Sequence, residues 1–244
     1  MKNLAYLMVL ATALPLEAQQ LHDHPEFSSS KDLQISQASV TYDATLNQLV
    51  FKIQVKGEAG NVVPEAWGQV DGAPVLGYVF LTTLNSADVG FGETSGMVAL
   101  ALTSHPDFDD TPLWDENGNR NLNDDGRVWH SHWVVLVEDS RVSGGLSIKK
   151  LDLEDQDITV PPTHPGMPIY LDSPGHPVIT HSHTIIAVVP AFRMMNQTEF
   201  NFDAVSAYMQ VNTSNPDLPM LGVYEVYSVL SEKLSLPYTV SVKH

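Results

Sequence analysis

The 244-residue chain contains no cysteine. That absence excludes a disulfide frame, a Cys-type zinc site, a thiolate blue-copper centre and an attached c-type haem. A lipoprotein anchor, which needs a cysteine, is excluded with them. Basic residues are also scarce: 12 Lys and Arg against 29 Asp and Glu give a formal net charge of −17. Such a surface repels nucleic acid and anionic membranes, so neither is an expected partner. It raises the local concentration of cations, which suits a metal-handling protein, and it equally keeps an exported protein soluble. No second long apolar run follows the N-terminus; those around Val134 and Ile185 are too short to span a bilayer. Gly-x-Ser-x-Gly, a phosphate loop, His-Glu-x-x-His and a dinucleotide fingerprint are all missing. Helical periodicity is scarce as well, with Phe202 to Met209 the best short candidate and a strand competing there.

What is present begins with an address. Met1-Lys2-Asn3 is a short positive start, Leu4 to Ala13 is a ten-residue apolar run, and Pro15 breaks it. That pattern predicts a signal peptide over residues 1–18, cleaved after Ala18 with Ala13 as the competing point. The mature protein is then periplasmic or extracellular. Residues 19–33, with the polar stretch His22 to Lys31, read as a flexible mature N-terminus. Residues 34–244 read as one β domain, long enough to bury a core without staples.

Strand signals dominate that domain. Gln34 to Tyr42 leads through a turn at Asp43 to Asn47 into Gln48 to Lys56, where Leu49, Phe51, Ile53 and Val55 mark one face and Lys52, Gln54 and Lys56 the other. Val75 to Thr83, Met97 to Leu102, Leu146 to Leu151, Ser206 to Val211, Gly222 to Leu230 and Tyr238 to Val242 are further candidates. Sixteen prolines gather in connections, notably the long loop Asp155 to Pro177. The expected fold is all-β, an antiparallel β-sandwich or jelly-roll-like barrel with few short helices.

The chemistry lies in two His-Ser-His triplets inside two strongly β-patterned stretches, Val128 to Val137 and Val178 to Val189. On a strand His130 and His132 share a face, as do His181 and His183. Paired strands would bring four imidazoles to one patch, and neutral imidazole is the commonest protein ligand for zinc and copper. Burying four imidazoles without partners is costly, which favours coordination. His105, His164 and His176 each precede proline and are possible additional ligands from loops. His22-Asp23-His24 would capture metal loosely near a free amino terminus. Between His105 and the first triplet, Asn121, Asn123, Asp125 and Gly126 match the first positions of a Ca²⁺ loop, although His132 stands where its last ligand, a Glu, belongs. Trp129 and Trp133 face away from the triplet histidines. With Trp114 they form a sugar platform or, as the commoner alternative, fill the core.

A His-x-His strand in an all-β chain resembles the first metal motif of the cupins. Here Gly126 precedes His130 by four residues and Glu138 follows His132 by six, both departures from that motif. The resemblance implies a metal-dependent oxygenase or hydrolase. Ala38 to Gly57 also resembles the opening hairpin of the DOMON-like sandwiches that bind haem or sugar, which implies architecture only. Three readings follow. One is an exported protein that stores or delivers copper or zinc through His130, His132, His181 and His183. Another is a metalloenzyme at that site with an open ligand position. The third is a carbohydrate or surface-interaction module in which the histidines are incidental.

Overall fold

The computed structural model describes residue 27 and residues 30–65, 70–106, 119–121, 127–151 and 173–244. The chain is almost entirely β, in two sheets. Its strands are β1 Ile35–Asp43, β2 Gln48–Val55, β3 Pro74–Thr82, β4 Met97–Ser104, β5 His130–Glu138, β6 Leu146–Ile148, β7 Val178–His181, β8 Thr184–Pro190, β9 Asn201–Val211, β10 Leu221–Val229, β11 Tyr238–Thr239 and β12 Ser241–Lys243. Short 3-10 turns cover Lys31–Leu33, Ser86–Val89 and Ala191–Met194.

The first sheet has the order β12-β1-β2-β8-β7. Its strands alternate as the sequence predicts: Leu49, Phe51, Ile53 and Val55 are buried, and every second residue between them is not. The turn from β1 to β2 falls on Asp43–Asn47, where the Asp43 carboxylate accepts the backbone N–H groups of Thr45 and Leu46. β12 joins the edge in parallel with β1, the one departure from an antiparallel arrangement among the described strands.

The second sheet runs β10-β6-β5-β4-β3-β9, and β9 pairs back onto β10, so six antiparallel strands close into a barrel. β9 takes the span Asn201–Val211 as a strand, which settles the helix–strand ambiguity at Phe202 to Met209. The barrel explains the unbroken apolar runs. β3, β4 and β5 turn one face into the barrel and the other onto the first sheet, so nearly every residue is buried. Leu100, Trp133, Val135, Phe80 and Phe202 pack outward with Phe51 and Ile185 of the first sheet in one core. Val79, Ala99, Ala101, Val134 and Leu136 point the other way in a separate cluster. Phe51 sits at the junction, 5.2 Å from the Phe80 ring and 6.2 Å from Trp133. Trp129 and Trp133 are 6% and 5% exposed, so both fill core and neither forms a sugar platform.

The stretch Val178 to Val189 departs from expectation. It is not one strand but a hairpin, with β7 and β8 antiparallel and His181 paired to Thr184. Ser182 takes a left-handed φ of 53°, which reverses the chain at the centre of the second triplet. His181 and His183 therefore flank a turn instead of sharing the face of a strand.

Candidate metal centre

β4 and β5 pair so that Thr103 lies opposite His130 and Ala101 opposite His132. The pleat then turns His130 and His132 to the same side as Thr103. β4 ends at Ser104, and Pro106 removes the N–H that would continue the ladder. The intervening His105 bends over the barrel end beside the two β5 histidines. His105, His130 and His132 are 4%, 5% and 5% exposed, and one ring nitrogen from each lies within 4.8 Å of the others. The three rings pack at centroid distances of 4.8, 4.8 and 6.2 Å. This cluster can hold a metal ion.

Its hydrogen bonds set the tautomers. The Nδ1 of His105 lies 2.6 Å from the Pro106 carbonyl, and the Nδ1 of His130 lies 2.7 Å from the Val128 carbonyl. A carbonyl oxygen only accepts, so each Nδ1 carries a proton and each Nε2, in the neutral ring, presents a lone pair. Those two Nε2 atoms stand 3.0 Å apart. Two neutral rings held this way repel unless a proton or a metal ion lies between the two nitrogens. Nitrogens bound at 2.0–2.1 Å around a tetrahedral zinc are about 3.3 Å apart, close to the observed spacing. Backbone carbonyls holding Nδ1 while Nε2 faces the metal are the usual second shell of a histidine ligand.

The opposite face of β5 is clamped by the segment 173–176. Ser173 Oγ donates to the Ser131 carbonyl, and Ser131 Oγ donates to the His176 carbonyl. Trp133 Nε1–H donates to His176 Nε2 at 3.3 Å, so that imidazole is neutral and acts as an acceptor. Burial, reinforced by the charge of Arg193, pushes its pKa down from 6.5 to about 4. His176 belongs to the support behind the cluster.

The first triplet is thus brought together with His105, which the sequence offered only as an additional ligand. Its pre-proline position just past the expected strand Met97 to Leu102 was the only local signal for it. The second triplet is not brought there: His181 and His183 lie exposed in the other sheet, and His183 Nδ1 bonds to the Gly57 carbonyl. Among the described residues the three-histidine group stands without them. Asn121 is exposed, its N–H bonded to Asn119 Oδ1. Asn123, Asp125, Gly126, His164, Trp114 and His22-Asp23-His24 lie outside the described residues, as do residues 1–18.

A cavity of about 390 Å³ fills the barrel beside the cluster. His105, His132 and Thr103 line it together with aliphatic residues from β3, β4, β5, β9 and β10. Thr103 is 4% exposed, and its hydroxyl has no hydrogen-bond partner among the described residues. No helix among the described residues is long and apolar enough to cross a membrane. Compared with known protein families, curated proteins and solved structures, the chain matches none.

Proposed function

We propose that this is an exported metalloprotein that keeps one Zn²⁺ or Cu²⁺ at His105, His130 and His132, with a further coordination position directed into the barrel. The observation that carries the reading is the pair of Nε2 atoms 3.0 Å apart, each on a ring whose Nδ1 is committed to a carbonyl. Three neutral nitrogens suit zinc or copper, and three protein ligands with an open fourth position is the arrangement of catalytic zinc sites. Burial of all three rings favours a resident ion over one handed on, because delivery needs an exposed path to a partner. The adjoining cavity favours a metal that acts on a bound molecule over simple storage. The N-terminal apolar run and the acidic composition support an exported location.

Metal content of the purified protein tests the reading. One zinc or copper per chain is expected, lost in His130→Ala and in His105→Ala and retained in a His181→Ala/His183→Ala double variant. Stoichiometric metal that survives loss of His105 and His130 refutes it.

A further inference from the structure

The barrel cavity has one polar end. Thr103 pairs with Gly77 and with His130, and Gly77 pairs with Ala207, so these residues form one belt around the barrel. His105 and Thr213 lie beyond that belt, past the ends of β4 and β9, on the same side of it. Every polar residue among the described lining, namely Thr103, His105, His132 and Thr213, therefore sits at or near one end. The rest of the described lining, on both sides of the belt, is Val, Leu, Ala, Ile and Met, with no charged group among the described lining residues. At about 390 Å³ the space falls within the range of small-molecule sites, and an apolar cavity of this kind excludes water but accepts apolar ligands.

We propose that this cavity binds an aliphatic monocarboxylate, with its chain along the barrel and its carboxylate at the histidine end, on the open position of the metal. The inference rests on the metal site proposed above and adds the ligand class. Neutral imidazole ligands bring no negative charge to a buried dication, so an anionic oxygen donor lowers the cost of burying it. The unpartnered Thr103 hydroxyl, across from His130, supplies a donor for the second carboxylate oxygen. A flexible saturated chain matches walls built from aliphatic side chains.

The test is calorimetric titration of the zinc-loaded full protein with acetate, hexanoate, octanoate and decanoate, and with decanol as the uncharged control. Affinity should rise about fourfold per added methylene until the barrel is filled. Decanol should bind at least tenfold more weakly than decanoate, and removal of zinc should weaken decanoate at least tenfold. Thr103→Val should weaken decanoate severalfold while leaving one zinc bound. Val205→Phe, which adds bulk on the barrel wall away from the histidine end, should bring the chain-length plateau to a shorter acid with zinc retained. If that variant does not fold, the series on the native protein decides. A protein that holds zinc on its three histidines but binds acetate and decanoate alike overturns this inference and leaves the metal site standing. Equal decanoate affinity with and without zinc overturns the head-group assignment. Failure to take up zinc at all overturns both.

Discussion

At the residue scale, chemically identical histidines have been given different work by the carbonyls and burial around them. His105 and His130 have their Nδ1 atoms tied to backbone carbonyls and their Nε2 atoms turned toward each other. His176, one face away, accepts from Trp133 and is held neutral by burial. Its folded pKa of about 4 lies below the ordinary 6.5, so between those values the unfolded chain binds more protons than the folded one. Stability from this group is complete above about pH 6.5 and is lost as pH falls toward 4, on the order of 3 kcal/mol across the window. In the metal-free protein, His176→Gln should flatten that decline; urea denaturation at pH 7 and pH 4.5 measures it, and an unchanged difference refutes the assignment. Metal affinity should fall over the same acid range for a separate reason, because coordination requires neutral imidazole. Binding isotherms from pH 7.5 to 5.5 check that direction. The first triplet was legible from alternation alone. His105 was only half legible, because its place depends on which strand pairs with β5, a long-range fact that the local pattern does not carry.

At the element scale, β5 and the β7–β8 hairpin show why two similar stretches fold differently. An apolar run follows each triplet, Trp133 to Val137 and, after Thr184, Ile185 to Val189, but in β5 both faces are buried, and the strand runs unbroken from His130. β8 buries only alternate residues against β2, and the edge strand β7 returns along it through Ser182. The apolar residues flanking the second triplet fit either one long strand or a tight hairpin. Nothing in them marks the reversal, since Ser182 is not a residue type that announces a left-handed φ. Strand spans elsewhere, from β1 to β4, were readable within a residue or two, β2 by its alternation and β3 and β4 as apolar, β-prone runs bounded by turn residues. Barrel closure was not readable, since the seam depends on small groups far apart in sequence. β6 and β10 meet through Ser147 and Gly222, and Gly144 N–H donates to the Val223 carbonyl beside them. A Cβ on Gly144 would stand 2.6 Å from that carbonyl oxygen. Gly144→Ala should therefore push the seam apart and cost about 1–3 kcal/mol by overpacking. Denaturant titration reads the loss; wild-type stability in the variant shows that closure does not depend on this contact.

At the scale of the whole molecule, the barrel and the first sheet share one core through the outward faces of β3, β4, β5 and β9. The inner barrel faces are free to line a cavity. Truncating Phe51 at the junction should cost about 3–5 kcal/mol, as removal of a buried aromatic side chain does. The net charge of −17 draws cations toward the molecule, while the groups that could coordinate one are the three buried histidines, so on this account attraction and coordination belong to different groups. An ion bound only by the folded chain stabilises it by mass action, so saturating zinc should raise the melting temperature of the native protein and not of His130→Ala. The most direct measurement is anomalous scattering at the zinc edge from crystals grown with one equivalent of zinc. The account predicts a single strong peak among the rings of His105, His130 and His132, about 2.0–2.1 Å from the Nε2 atoms of His105 and His130. A peak at His181 and His183 instead, or none at the barrel end, contradicts it.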